Sequence, residues 1–345
     1  MLKMLPCSSG QLQSRLRAIL RCASGTLMLL ASGACLLPAA RAEDAVRLGN
    51  LKLAHFGAVS YVKEIASGKC GGLQVNERTF AKGLDVMQAI IAGEIDVGAT
   101  ASEAAITGRA SGVPIYIVAG FASGGVRLLA RADQPVHKLA ELKGKRVAVT
   151  RGSIQEIMLG TELGQAGLTF SDQPGKDIQI QYLNYPDLNQ ALLTRNVDVI
   201  MQSEPYASQA LDRGFAMEVL KPYDTPIGSP VRTLVMTEKF YREKPELAKR
   251  FMQCFVQATH EFIVDPRLAS KYVRETLFKG QLSEKEFGDA IANAPYGYDI
   301  TPQHIQITTD QMVKYGIGKM SKPPLASDYV RTDLLVAARK ALGVN

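Results

Sequence analysis

The sequence contains no tryptophan and only four histidines among its 345 residues. It also lacks the short motifs of several enzyme classes: G-x-G-x-x-G after a predicted strand, G-x-x-x-x-G-K-[ST], H-E-x-x-H and G-x-S-x-G are all missing. The histidines, His55, His137, His260 and His304, do not have metal-ligand spacing. These absences weaken an enzyme interpretation without excluding it, and neither a cofactor nor a metal is predicted.

A strong positive charge is also missing once the first 42 residues are set aside. The whole chain has 40 basic and 33 acidic residues, a formal charge of +7. Residues 1–42 hold five basic residues and no acidic one, which leaves 35 basic against 33 acidic residues, or +2. This balance excludes the electrostatic footprint of a nucleic-acid-binding domain.

Residues 1–42 have the features of a signal peptide, in the expected order. Arginines precede the apolar run "GTLMLLASGACLL" (Gly25 to Leu37), which is too short to span a bilayer comfortably. Ala40-Arg41-Ala42 fits the small-x-small cleavage rule, so the mature chain is predicted to begin at Glu43 in the periplasm. Lipid attachment at Cys35 and a buried N-terminal helix are the alternatives. No transmembrane helix is predicted after the signal peptide.

Only two of the five cysteines, Cys70 and Cys254, remain after the predicted signal peptide. They are far apart and form no C-x-x-C motif. An oxidising compartment would allow them to pair, but spacing alone does not decide this. We predict two separate, partly buried thiols.

A sequence repeat predicts two equivalent lobes. "QAIIAGEIDVGA" begins at Gln88 and "QALLTRNVDVIM" begins at Gln190, which is 102 positions later. Each stretch predicts a helix, a tight turn and a strand with Asp near its start. We predict that Asp96 and Asp198 are turn residues; contact with a ligand is the alternative.

The rest of the chain extends this pattern. From Val46, short apolar strands alternate with helices, and the alternation restarts at "LKGKRVAVT". This predicts an α/β protein with two doubly wound lobes. The strand in "SPVRTLVM" follows the second lobe and is predicted to return to the first sheet. Beyond Pro245 the chain is predicted to be mostly helical, with a core-facing stripe at Leu247, Phe251, Phe255 and Phe262.

The chain is predicted to cross from one lobe to the other twice, near Gly124–Ala130 and near Thr225–Val231. These two crossings are predicted to form a two-strand hinge. The predicted boundaries are 43–127 plus 228–345 for lobe 1 and 128–227 for lobe 2.

Polar segments follow the predicted strands, at the edge where helix N-termini gather and where open α/β sheets bind ligands. They predict that a small molecule binds between the lobes. The candidate ligand-binding residues are His55, Phe56, Thr100, Ala101, Ser102, Ser123, Gly124, Thr150, Gly152, Ser153, Ile154, Tyr185, Ser203, Glu204, Tyr206 and Arg232.

Several candidates also have a structural interpretation. Thr100-x-x-Glu103 and Ser153-x-x-Glu156 match capping boxes. For Ser153 both roles can coexist, since capping leaves other first-turn N–H groups free. We expect His55 to be a partly buried loop residue, and Tyr206 to lie in the cleft wall rather than the core.

Three stretches together resemble one known family. "FAKGLDVMQAIIAGEIDVGATASEAAITGRASG", "ELKGKRVAVTRGSIQEIMLGTEL" and "LLTRNVDVIMQSEPYASQAL" are similar to the nitrate/sulfonate/taurine-type periplasmic binding proteins, which include pyrimidine-precursor binders. The resemblance implies a class II periplasmic-binding-protein fold and a monomer that delivers a small-molecule ligand to an inner-membrane ABC permease with its ATPase. It also implies no catalysis.

The resemblance assigns the ligand's anionic or polar head to Gly152-Ser153. Sulfonate binders often continue with Ser or Thr where this chain has Ile154-Gln155, and many relatives carry Trp at the position of Ser203. These departures argue against a plain alkanesulfonate ligand. A pyrimidine-precursor synthase-like enzyme and a ligand-sensing domain are alternative functions. The first needs metal-binding His and a Cys-rich run, and the second needs a helix-turn-helix; neither is visible.

Two acidic residues, Glu103 and Glu204, follow corresponding strands of the two lobes. We predict that Glu103 caps its helix and faces solvent, whereas Glu204 lines the site. Arg127, Arg151 or Arg232 could neutralise a buried carboxylate. On this basis the predicted ligand carries a donor group: an amine, a zwitterion such as taurine, or an aminopyrimidine.

Overall fold

The computed structural model describes residues 45–344. The predicted signal peptide and Cys35 lie outside this range. The strands are β1 (Ala45–Leu51), β2 (Gln74–Phe80), β3 (Val97–Ala101), β4 (Ile115–Ser123), β5 (Val126–Arg131), β6 (Arg146–Val149), β7 (Phe170–Ser171), β8 (Ile178–Tyr182), β9 (Val199–Ser203), β10 (Ala216–Leu220) and β11 (Val231–Thr237).

The α-helices are α1 (Gly57–Lys69), α2 (Gly83–Ile91), α3 (Ser102–Ala110), α4 (Ile154–Gln165), α5 (Tyr185–Leu193), α6 (Tyr206–Asp212), α7 (Glu238–Glu243), α8 (Pro245–Val264), α9 (Pro266–Lys271), α10 (Glu284–Asn293), α11 (Pro302–Lys314), α12 (Ala326–Tyr329) and α13 (Asp333–Leu342). Short 3-10 turns occur at Ala54–Phe56 and Leu139–Leu142, and a π-helical turn occurs at Tyr272–Leu277.

The first sheet has the order β2-β1-β3-β11-β4. Strand β1 is parallel to both β2 and β3, while β11 is antiparallel to β3 and β4. The prediction that "SPVRTLVM" returns to the first sheet is therefore confirmed. In this register Arg232 lies opposite Ala101, at the edge of the sheet where α3 begins.

The second sheet has the order β10-β5-β9-β6-β8-β7. Its central strands β9, β6 and β8 are parallel, and β5 pairs antiparallel with both β9 and β10. The sequence predicted a crossing between the lobes near Gly124–Ala130, whereas most of this segment forms strand β5. All six residues of "VRLLAR" are buried, so the strand lacks the polar–apolar alternation that marks a half-buried strand.

The chain passes between the two sheets twice. It leaves the first sheet through Gly124-Gly125 and returns through residues 221–230. The backbone N–H of Gly124 donates to the carbonyl of Pro230 at 2.8 Å, so the two crossings lie side by side. Gly124 has a φ of 73°, and a Cβ atom there would collide with the carbonyl oxygen of Asn293. Both observations explain why this crossing needs glycine.

The sequence repeat corresponds to a repeated ion pair. Asp96 precedes β3 and accepts hydrogen bonds from the backbone N–H, Nε and Nη2 of Arg47 in β1. Asp198 precedes β9 and accepts the same three bonds from Arg146 in β6. Each aspartate thus fixes the start of its strand against the neighbouring parallel strand, which is a structural role.

The helical C-terminal region predicted from the sequence is present. The stripe on α8 is confirmed as core, because all four side chains are at most 8% exposed. Cys254 of α8 forms a disulfide with Cys70 at the end of α1, with a Cα–Cα distance of 5.5 Å. The prediction of two separate thiols was therefore wrong. The pairing depends on the packing of α1 against α8, which sequence spacing does not reveal.

Among residues 45–344, no helix combines the length and the apolar character needed to cross a bilayer.

Candidate ligand-binding site

Arg232 is the centre of a buried polar cluster at the edge of the first sheet. It lies on β11 and is 1% exposed. Its Nε donates a hydrogen bond to Nε2 of His55 at 3.1 Å, whereas Nη1 and Nη2 have no partner among residues 45–344. A buried guanidinium with two unpartnered nitrogens is costly, and it offers a fork of donors to an acceptor group of a ligand.

His55 is a neutral member of this cluster. It lies in the 3-10 turn after β1 and is fully buried, not partly buried as predicted from the sequence. Burial and the positive charge of Arg232 hold the pKa of His55 well below its usual value. Because a guanidinium only donates, Nε2 of His55 is the acceptor and Nδ1 carries the proton. Nδ1 has no partner, so it is a further donor.

Glu103 supplies an acid to the same cluster. It lies in the first turn of α3 and is 4% exposed. Burial raises its pKa to about 7, while Arg232 and backbone N–H groups, including that of Ile154, act in the opposite direction. Ile154 is the first residue of α4 in the second lobe, so Glu103 connects the N-termini of two helices across the lobes.

The prediction that Glu103 caps its helix and faces solvent was wrong. The N-cap of α3 is Ala101, and no side chain caps it. The sequence pattern of a capping box does not show which way a first-turn glutamate points. Here the start of α3 faces α4, so the carboxylate is buried between the helices.

The N-terminus of α4 forms the second-lobe side of the cluster. Ser153 is the N-cap: its Oγ accepts from the backbone N–H of Glu156 at 3.3 Å and donates to the carbonyl of Thr150 at 2.6 Å. The predicted cap is thus confirmed, although the Glu156 carboxylate accepts from the N–H of Gly152 rather than of Ser153.

Tyr185 at the start of α5 completes this side of the cluster. Its hydroxyl donates to Oε1 of Gln155 at 2.9 Å. Burial raises the pKa of Tyr185, as does the nearby charge of Glu103, while Arg232 and a hydrogen bond with Ser153 lower it. The ring is therefore close to residues of both lobes.

Buried polar atoms without partners are concentrated at these strand ends. Of twelve such side-chain atoms in residues 45–344, seven belong to residues that follow or end strands at this edge. They are His55 Nδ1, Thr100 Oγ1, Ser102 Oγ, Glu103 Oε2, Thr150 Oγ1, and Nη1 and Nη2 of Arg232. Buried polar groups in folded proteins are normally paired, so this concentration indicates a site built for a polar ligand.

Other candidate residues make no hydrogen bond to Arg232 within the described chain. Phe56 packs edge-on against Phe121 in the core. The hydroxyl of Thr100 points toward Gly83 of α2, where a Cβ atom would collide with it. Ser123 and Gly124 belong to the first crossing, and Ser203 at the end of β9 donates to the carbonyl of Gly125 at 3.4 Å.

Glu204 lies in an adjoining buried network, where protein groups occupy both of its oxygens. Oε1 accepts from Nε of Arg127 at 2.7 Å and from Nδ2 of Asn293 at 2.9 Å. Oε2 accepts from the N–H and hydroxyl of Ser208 at 3.1 and 2.7 Å. Arg127 therefore does neutralise this carboxylate, as the sequence allowed. Asn293 belongs to α10, so the network joins the second sheet to the C-terminal helices.

A cavity of about 290 Å³ lies between the lobes beside the Arg232 cluster. Leu51, Leu53 and Phe80 line it from the first lobe, and Tyr185 and Tyr206 line it from the second. Tyr206 thus lines this cavity. A larger cavity, about 460 Å³, lies beside Arg47 and Asp96 at the opposite edge of the first sheet. We place the site at the Arg232 edge because the unpartnered buried groups are there.

Sequence reasoning missed three residues of the site: Glu103, Gln155 and Tyr223. Tyr223 lies on the return crossing, where its hydroxyl bonds to Val126 and Asn293; burial raises its pKa, and the nearby charge of Arg232 acts in the opposite direction. No motif marks Tyr223 or Gln155, since their roles depend on the crossing and on Tyr185. Within the described residues, no cluster of His, Cys, Asp and Glu could hold a metal ion.

Comparison with known proteins places the chain in a family. Residues 69–269 match the family described as "NMT1/THI5 like". The putative aliphatic sulfonates-binding protein of Escherichia coli (strain K12) is 33% identical over 150 residues. That alignment covers 41% of this chain and 43% of the relative, so less than half of the relative's length is matched.

Solved structures with the same fold match almost the whole described chain. The alkanesulfonate-binding protein SsuA from Xanthomonas axonopodis pv. citri, bound to MOPS, has a TM-score of 0.71 at 18% identity, covering 84% of this chain and 98% of that one. The nitrate-binding protein NrtA from Synechocystis PCC 6803 has a TM-score of 0.73 at 16% identity, covering 88% and 90%. The predicted periplasmic-binding-protein fold is confirmed.

Proposed function

The chain belongs to the NMT1/THI5-like family, and from this premise we propose that it is a periplasmic solute-binding protein. In this proposal it captures a small polar organic molecule between its lobes and delivers it to an inner-membrane ABC importer. Relatives described as binding aliphatic sulfonates and nitrate support this assignment. The export signal predicted in residues 1–42 and the disulfide between Cys70 and Cys254 fit an oxidising compartment.

One observation supports the location of the ligand above all others: Nη1 and Nη2 of Arg232 are buried without a partner in the described chain, next to Glu103, whose carboxylate also meets the N-terminus of α4. Arg232 and the proton on Nδ1 of His55 offer donors to an acceptor group of the ligand, and Tyr185 and Tyr206 flank the adjoining cavity. The proposed lobes are 43–127 plus 228–345 and 128–227. The proposed hinge consists of the two crossings at Gly124-Gly125 and 221–230, which would allow closure around the ligand.

Ligand-dependent thermal stabilisation of the mature protein tests this proposal. The panel contains taurine, alkanesulfonates, nitrate and aminopyrimidines. A ligand at 100 times its Kd stabilises the folded state by about 2.7 kcal/mol. Replacing Arg232 with Gln is expected to weaken the bound compound by about 1.5–3 kcal/mol, or roughly tenfold to a hundredfold, because a charged donor is lost. Arg232→Lys, which keeps the charge, is expected to weaken it less.

Arg195→Gln is the matched control, since the Arg195 side chain is 70% exposed and pairs with Asp133 at the opposite edge of the second sheet. Two further readouts separate binding from catalysis. Recovered ligand is expected to be chemically unchanged, and small-angle scattering is expected to show a more compact particle with ligand bound. Turnover of the ligand, or an Arg232→Gln variant with unchanged affinity, contradicts the proposal.

A further inference from the structure

Glu103 and Arg232 are opposite charges that share one buried cluster without forming an ion pair. They are close enough to shift each other's protonation, yet Oε2 of Glu103 and both Nη atoms of Arg232 have no partner within the described chain. An acid and a base held apart in this way present a ligand with an acceptor at one end of the site and donors at the other.

Glu103 also occupies the place that the sequence resemblance assigned to an anion. The N–H of Ile154, at the start of α4, is directed to its carboxylate. An anionic ligand head at Gly152-Ser153 therefore meets a buried carboxylate, and like charges repel strongly where water is excluded. A ligand with an N–H or ammonium group beside its acceptor meets a complementary pair of charges.

We propose that Glu103 determines ligand specificity by accepting an N–H or ammonium group of the ligand, while Arg232 donates to an acceptor group of the same molecule. The inference rests on the proposed function and narrows its ligand class. The class is a compact zwitterion or an amino-substituted heterocycle. Simple anions such as nitrate and unsubstituted alkanesulfonates are disfavoured by the carboxylate.

The groups that face Glu103 determine how this preference changes with pH. They are Arg232 on β11, Tyr185 on α5 and, beyond Arg232, His55 and Tyr223. Arg232 stays charged, both tyrosine pKa values are raised, and the pKa of His55 is far below its usual value, so none of these changes charge between about pH 6 and about pH 8.5. Glu103, with a pKa of about 7, does.

The direction of the pH effect follows from these assignments. Below about pH 7 the carboxyl of Glu103 is mostly protonated, so it donates and does not repel an anion. As the pH rises through 7, the carboxylate forms. Affinity for a simple anion then falls, and affinity for an amine-bearing ligand rises or is kept.

Matched compounds that differ only in an amino group test the proposal. Taurine is compared with ethanesulfonate, and 4-amino-2-methylpyrimidine with 2-methylpyrimidine. Calorimetry is done at about pH 6 and about pH 8.5, in buffers without sulfonate groups, because a related protein binds MOPS. In at least one pair, the wild type at the higher pH is expected to favour the amine by about tenfold or more, with a smaller ratio at the lower pH.

Glu103→Gln is expected to lose the preference and its pH dependence, and to bind ethanesulfonate at least as tightly as the wild type. Thermal unfolding checks that this variant is folded. No loss of stability is expected, because burial disfavours the charge that the substitution removes. Glu162→Gln is the control. Burial also raises the pKa of Glu162 to about 7, but its charged neighbour is Asp224, so ligand preference is expected to be unchanged.

Two outcomes overturn the proposal, and they differ in what they leave intact. If a compound binds through Arg232 but Glu103→Gln leaves the amine preference unaltered, the role of Glu103 is rejected and the proposed function stands. If no member of either pair binds the wild type, the proposed ligand class is rejected. Binding of any other compound in the wider panel then preserves solute capture, and failure of the whole panel rejects that too.

Discussion

Individual carboxylates in this protein have roles that their sequence context does not predict. Glu103 matches a capping pattern but is buried beside Arg232, and Glu204 follows a strand but is saturated by protein donors. In both cases the side chain's direction decides the role. That direction depends on which helix packs against it: α4 for Glu103 and α10 for Glu204. Strand ends could be located from the sequence, but these contacts between distant segments could not.

Replacing Glu204 with Gln is expected to lower stability and to leave ligand affinity within about twofold. Gln places an NH₂ group against donors that now bond to a carboxylate, and it leaves Arg127 without its most buried partner. Breaking a buried ion pair in this way costs about 3–5 kcal/mol. Denaturant unfolding measures the loss, and calorimetry measures the affinity.

Glu218→Gln is the matched control for this change. Glu218 also bonds to Arg127, at 2.8 Å, but its side chain is 34% exposed, so the expected loss is below about 1 kcal/mol. A variant Glu204→Gln that keeps its stability but loses most of its ligand affinity would restore the sequence-based hypothesis that Glu204 contacts the ligand.

At the scale of elements, periodicity predicted the first-lobe strands β1, β2, β3 and β4 and the return of β11. It did so because these strands are separated by helices with clear ends and because the repeat fixed their order. Strand β5 was missed because Arg127 and Arg131 interrupt its apolar run right after Gly124-Gly125, and only the folded structure shows that both arginines are buried and ion-paired. The disulfide was missed because it depends on how α1 meets α8, across 184 residues of sequence.

The first crossing requires glycine at position 124. Gly124→Ala is expected to destabilise the protein by more than about 2 kcal/mol, because the added Cβ collides with the carbonyl oxygen of Asn293 and φ is 73°. Gly214→Ala is the control: its φ is 74°, but its Cβ would meet nothing within 4 Å. Its loss of stability is expected to be about 1 kcal/mol, which is the cost of placing alanine in a left-handed backbone conformation.

Thermal or denaturant unfolding of both variants separates the two contributions. Equal losses at Gly124 and Gly214 would mean that the close approach of Asn293 to the crossing adds nothing. A larger loss at Gly124 supports the conclusion that α10 packs directly against the crossing. In that case, the ligand affinity of the folded Gly124→Ala protein shows whether the contact also affects ligand binding.

At the scale of the whole molecule, one covalent bond encloses most of the fold. The Cys70–Cys254 disulfide joins the end of α1 to α8, and the 184-residue separation includes the entire second sheet and both crossings. Both cysteines belong to the part of the molecule that carries the first sheet, so the bond does not join the two proposed lobes to each other. Its main effect is expected on the unfolded chain, whose conformations it restricts.

Reduction of this bond, or replacement of Cys254 with Ser, is therefore expected to lower the free energy of unfolding by about 2–5 kcal/mol. Ligand affinity of the folded protein is expected to stay within about twofold, because Arg232 and Glu103 belong to neither α1 nor α8. Denaturant unfolding with and without reductant measures the first quantity, and calorimetry measures the second. The Cys254→Ser protein is its own control, since reductant has no disulfide to break there. A reductant effect that persists in this variant would show that the effect does not come from this disulfide. A large loss of affinity when the wild type is reduced would show that the bond acts on the folded site and not only on the unfolded chain.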